Sequence, residues 1–345
     1  MKFCNRKTIL IGSLLLLLLT GVAVYVLQRE LDVALILAAF RQAKLLWIIP
    51  AVFCIFLYTY LGSCNIRRGL RICGYRPTLW RSVRYSYTGF FFSAVTPSSS
   101  GGQPAQIFYI VRDGAKVSHA TFSILLEMFC YASSSVILGA IGALLSVILG
   151  TLSIRNNLFW LSILGIAVNG VLVLILLCFM FSKSASRVIT NIAVAVCEKL
   201  LHIKHIRYKI LRSIAEYRKT AAILKENKHL LEKMLLTSLV QITLYHSIPY
   251  FCCLALGCTH LNWLSIVALQ ATLYISVSFL PLPGSAGVTE GGYALLFASL
   301  LSEAILGSTM LLSRFISFVL PLMVSGGVVL ISNILFNIRV KRMQG

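Results

Sequence analysis

Three ionisable side chains stand where such groups are rare. Glu127, Glu290 and Arg314 each fall within or beside long apolar stretches of the chain. An ionised group at the centre of a bilayer costs about 2.5–3.5 kcal/mol on insertion scales, so it pairs or faces a polar cavity. Opposite charge makes Glu290 and Arg314 the natural pair. Residue type alone does not say whether that pair is a structural bridge or part of a ligand site. Glu127 reads either as a site residue or as a charge snorkelling toward the nearer interface.

Glu290 belongs to an unusual segment, Pro281-Leu-Pro-Gly-Ser-Ala-Gly-Val-Thr-Glu-Gly-Gly292. A second segment of similar character runs Thr96-Pro-Ser-Ser-Ser-Gly-Gly-Gln-Pro-Ala-Gln106. Their cores align as Pro97-x-Ser99-x-Gly101 and Pro283-x-Ser285-x-Gly287. Proline and glycine break helices and release backbone N–H and C=O groups. At membrane depth such groups are tolerated only when buried in protein or lining a wet cavity. A half-helix starting after Gly101 or Gly287 would aim its N–H groups and positive dipole end at the break, which suits an anion such as phosphate. A pair of Pro-kinked helices with no ligand is the plainer alternative.

The elements that must hold these residues follow from composition. The chain has 345 residues, 58% of them hydrophobic, and a mean hydropathy of +0.88. A soluble domain has too little polar residue content here to cover its core. A membrane-crossing helix needs roughly 20 apolar residues, and the stretches 8–28, 45–63, 119–149, 158–181, 235–256, 263–280 and 304–336 qualify. The apolar run after Lys7 is too long for a signal-peptide core and lacks a small-x-small cleavage site, so it reads as a first membrane helix. The expected fold is an all-α polytopic bundle, a single membrane domain over 1–345. Two broken hairpins interrupt it, at 85–112 and with a second half at 281–301.

Charge sets the expected orientation. Lys and Arg outnumber acids 31 to 10. Residues 64–84 carry Arg67, Arg68, Arg71, Arg76, Arg81 and Arg84 with no acid, and 183–233 carry twelve Lys/Arg against four Glu. The loops at 150–157 and 257–262 hold only Arg155. The positive-inside rule then puts both termini, 64–84 and 183–233 in the cytoplasm. The first hairpin would enter from the cytoplasmic side and the second from the outside. Oppositely oriented breaks of this kind point to a midplane transport site.

Other residues carry less. Cys54, Cys130, Cys178, Cys252 and Cys253 lie in apolar runs and act there as small hydrophobes. No CxxC or Cys/His ligand spacing occurs, so no metal and no cofactor are expected. Tyr245 and His246 read as packed or interfacial. Apolar positions from 189 to 224 recur every three or four residues, the stripe of an amphipathic helix. Its Lys and Arg suit either an anionic leaflet or a solvated cytoplasmic connector. Aromatic interleaving is sparse, so nucleic acid is not an expected partner.

The two broken segments, with a basic stretch between them, resemble the signature segments of the lysylphosphatidylglycerol synthase transmembrane, flippase-like family of bacteria. The resemblance covers roughly 8–338. It implies a multi-pass protein of the bacterial cell membrane that binds and flips a phospholipid, anionic or aminoacylated. Thr96, Pro97, Ser99, Gly101, Gly102, Gln103, Pro283, Gly284, Ser285, Gly287, Glu290 and Arg314 are the candidate lipid-binding residues, with Glu127 and Gln106 as additions. Many family members have an acid at the position of Gln103 and a base at that of Gln106, so the headgroup chemistry here is expected to differ. Larger members add a soluble domain that transfers lysine from tRNA to phosphatidylglycerol. The chain reaches Gly345 soon after its last apolar stretch, so lysyl transfer would need a separate synthase protein as partner. A homo-oligomer and a non-transporting scaffold are further readings.

Overall fold

The structure is a computed structural model that describes residues 33–96, 99–181, 224, 227–280 and 287–344. The expected first span 8–28, most of the basic segment, and Pro97, Pro283, Gly284 and Ser285 lie outside the described residues.

The described residues are predominantly helical, with no strand among them. The helices are α1 Val33–Gln42, α2 Leu45–Ile72, α3 Leu79–Val95, α4 Gly102–Arg112, α5 Val117–Ile148, α6 Asn157–Phe181, α7 Lys228–Ala255, α8 Trp263–Val277, α9 Val288–Phe297 and α10 Glu303–Arg314. A π-helical turn, Phe315–Val319, joins α10 to α11, Leu320–Gln344. Pro321 explains the π turn, because it supplies no N–H to the ladder and crowds the carbonyl four residues earlier. Among the described residues, four stretches could cross a membrane by length and composition: Leu45–Ile72, Val117–Ile148, Asn157–Cys178 and Ile305–Phe336. Their outward faces carry large exposed apolar side chains such as Leu46, Phe53, Leu144, Leu174 and Ile334. A soluble surface would not tolerate so continuous a coat; acyl chains would.

Side-chain contacts fix the helix directions. Tyr58 pairs with Tyr131 while Ser123 Oγ donates to the Ile66 carbonyl, so α2 and α5 run antiparallel. Asn65 Nδ2 donates to the Met234 carbonyl and to Ser238 Oγ, each at 3.0 Å. Tyr58 meets Tyr245 at the other end, so α2 also opposes α7, and α5 and α7 are parallel. Small residues bring α8 close to α5. A Cβ at Gly142 would lie 2.8 Å from the Ala268 carbonyl and 2.8 Å from Ala271 Cβ. Close approach through small residues is the usual way membrane helices gain packing energy.

The helices on either side of each broken segment pack against one another. In the first, α3 and α4 pack side by side, and their feet are clamped by an Arg84–Asp113 ion pair. Tyr85 Oη adds a 2.6 Å hydrogen bond to the same carboxylate. In the second, Leu269, Leu273 and Val277 of α8 share a core with Tyr293, Leu296 and Phe297 of α9. Helical starts fall where the glycines place them, α4 at Gly102 and α9 at Val288.

Candidate functional site

The first break is built by Thr96. Its Oγ1 donates to the Phe92 carbonyl at 2.5 Å and accepts the Gly101 N–H at 2.9 Å. That single hydroxyl ends α3 and fixes the start of α4. The chain between them passes through Ser99 at φ +52°, a left-handed conformation uncommon for a residue with a Cβ. Gly102 is buried, and a Cβ there would run into Ser93 Oγ and sit 2.8 Å from the Gly89 carbonyl. Gly89 in turn leaves room for Gln106, whose side chain crosses the hairpin to it.

The second break ends at Gly287, φ +78°. Glu290 Oε2 accepts the Gly287 N–H at 2.6 Å, the carboxylate half of a capping box; glycine has no side chain to supply the other half. Glu290 Oε1 faces Arg314 Nε at 3.1 Å. The Arg314 guanidinium also lies over the Phe318 ring, 4.3 Å from its centroid. The expected pair is thus formed, and it ties the second break to the π turn.

The N–H groups of Gly101 and Gly287 do not point open-handed at the breaks, because Thr96 and Glu290 already accept them. What remains for an anion is the first turn of α4 and of α9, whose N–H groups lack partners within their own helix, together with Arg314.

Residues beside both breaks line one cavity of about 440 Å³. Ser99, Gly102, Gln103 and Gln106 line it from the first broken segment, Ser278 and Thr289 from either side of the second, and Arg314 from the end of α10. Its size lies in the range of small-molecule sites. Glu127 lines it as well. Thr96, Gly101, Gly287 and Glu290 are not among its lining residues.

Several cavity residues gave no signal in the sequence. Tyr58, Tyr131, Tyr245 and Tyr274 form a cluster along one wall. Tyr58 Oη donates to Tyr131 Oη at 3.2 Å, and Tyr131 and Tyr274 Oη are 3.1 Å apart. Gln241 and Gln270 line the same space. Spaced four residues before Tyr245 and Tyr274, each glutamine lies one turn away on the same helix face, a periodic hint visible only once that face is known to be buried. His246 is packed against the rings of Tyr245 and Tyr274.

Comparison with known proteins places this architecture. Residues 9–325 match the family described as the lysylphosphatidylglycerol synthase TM region. A protein of Archaeoglobus fulgidus named UPF0104 membrane protein is 23% identical over 316 residues, spanning 90% of this chain and 92% of that one. The chain belongs to the lysylphosphatidylglycerol synthase TM region family and is a membrane protein.

Proposed function

We propose that the chain binds the headgroup of a phospholipid in the shared cavity and carries it across the membrane. The observation that supports this best is that residues beside the two helix breaks, Ser99 and Gly102 in one half of the chain and Ser278 and Thr289 in the other, line one cavity together with Arg314. Broken helices at a common site are how secondary transporters hold polar cargo at the midplane. In this reading both hairpins are re-entrant, from opposite sides, and both termini are cytoplasmic.

The roles divide by chemistry. The first turns of α4 and α9 and the Arg314 guanidinium receive the phosphate. Gln103 and Gln106 offer amide groups that both donate and accept, which fits glycerol hydroxyls. Thr96, Gly101, Gly287 and Glu290 hold the two breaks in shape. Acyl chains remain outside against the apolar faces of the bundle.

The test is translocation of a fluorescent phosphatidylglycerol in proteoliposomes, read by quenching of the outer leaflet. Transport that scales with reconstituted protein supports the reading. A rate equal to that of protein-free vesicles, for anionic and amine-bearing lipids alike, would sink it. The same preparation, given lysyl-tRNA and phosphatidylglycerol, checks the rival reading as a membrane component of lysyl transfer.

A further inference from the structure

The cavity carries hydrogen-bond acceptors that the phosphate reading leaves unused. Glu127 faces it and has no ion-pair partner among the described residues. Gln241 is 3% exposed, lines the cavity, and its Oε1 has no hydrogen-bond partner. A buried unpaired carbonyl costs about 1–3 kcal/mol, a cost that a donor arriving with the ligand would remove.

These two acceptors share a level. Along the antiparallel helices α2 and α5, Tyr58 meets Tyr131 and Ile66 meets Ser123, so Gly62 falls opposite Glu127. Gln241 packs on Gly62, where a Cβ would lie 2.9 Å from Nε2. Glu127 and Gln241 each sit one turn before a cavity tyrosine, Tyr131 and Tyr245, on parallel helices. The tyrosine cluster therefore covers them on one side. Charge points the same way. Glu290 already answers Arg314, so a purely anionic headgroup would add to the charge of Glu127 rather than offset it.

We infer that Glu127 and Gln241, covered by the tyrosine cluster, form a subsite for a primary ammonium group. The headgroup class is then a phosphate ester that also carries a protonated amine, of the ethanolamine or aminoacyl kind. The inference rests on the lipid-headgroup reading above and deepens it. A carboxylate, an amide oxygen and aromatic faces match the three N–H donors and compact charge of an ammonium. A hard metal cation would seek a fuller shell of oxygens.

The test measures binding of short-chain phospholipids to the purified full chain in detergent. Dihexanoyl phosphatidylethanolamine should bind at least tenfold more tightly than the phosphatidylcholine or phosphatidylglycerol of the same length. Glu127→Gln should reduce the ethanolamine lipid to the level of the glycerol lipid, whose own binding should hold or strengthen once the like charge is gone. Gly62→Ala, which displaces Gln241 but keeps every charge, should weaken the ethanolamine lipid several-fold; it serves should Glu127→Gln not fold. Equal wild-type binding of the ethanolamine and glycerol lipids would overturn the subsite while leaving the headgroup reading intact, as would a preference that survives both substitutions. Competition by sodium chloride beyond that of choline chloride would put a metal ion there instead and also overturn it. Binding of no lipid at all would remove both readings.

Discussion

The Nε of Arg314 lies 3.1 Å from Oε1 of Glu290, while Oε2 of the same carboxylate takes the Gly287 N–H. One side chain therefore sets the conformation of the second break and the position of the cation beside the cavity. Replacing it by a neutral isostere separates the two tasks. In Glu290→Gln the amide oxygen can still accept one hydrogen bond, but Arg314 loses its counter-charge. The expected cost is about 1.5–3 kcal/mol, seen as a lower melting temperature in detergent. Translocation per folded molecule should fall further than this loss explains. A normal rate per folded molecule would make the pair purely structural.

The two break glycines should fail for different reasons. At Gly101 a Cβ would lie 2.6 Å from Thr96 Cγ2 and 3.1 Å from the Phe92 carbonyl, so Gly101→Val is overpacked by about 1–3 kcal/mol. At Gly287 nothing stands within 4 Å of the added atom, yet φ is +78°, so Gly287→Val is strained in its backbone by about 1–2 kcal/mol. Gly287→Ala should therefore be nearly as damaging as Gly287→Val, whereas Gly101→Ala should be milder than Gly101→Val. Melting curves of the four variants decide; the reverse ranking would contradict the geometry.

The foot of the first hairpin should act as a clamp. Asp113 accepts from Tyr85 and pairs with Arg84, their side chains 13% and 17% exposed. Removing one partner of a buried pair typically costs about 3–5 kcal/mol. Asp113→Asn should lower the melting temperature sharply, and a paired Arg84→Gln change should recover part of the loss. Additive losses in the double variant would show that the two side chains are not coupled.

The orientation is open to labelling. With reactive native cysteines removed, single cysteines at His205 and Met343 should label only from the cytoplasmic side, and one at Arg155 only from outside. External labelling at 205 in intact cells would invert the topology and both hairpin directions.

Incubated with lysyl-tRNA and phosphatidylglycerol, the 345-residue chain should form no lysylphosphatidylglycerol on its own. Product that depends on tRNA and on this chain alone would reinstate the transferase reading.

The apolar runs, the two Pro/Gly breaks and the Glu290–Arg314 pairing were legible in the residues, because each follows from a local rule. Apolar length predicts a membrane helix, glycine and proline end helices, and opposite charges in an apolar setting seek each other. Element ends were less legible: α2 runs on to Ile72 and α7 begins at Lys228, since amphipathic helix continues past the point where the apolar run stops. Arg84 read as a flanking positive charge, yet it closes a hairpin through Asp113, a partner that spacing does not suggest. Of the tyrosine cluster only Tyr245 stood out, as packed or interfacial, and Gln241 and Gln270 did not stand out. Helices such as α5, α7 and α8 are apolar on nearly every side, so periodicity does not say which face turns inward. That choice is made by contacts between distant parts of the chain. Gly62 admits Gln241, and Gly139 and Gly142 draw α8 onto α5. The sequence thus determined what the helices are made of and where they break, while only their packing decided which polar groups share a cavity.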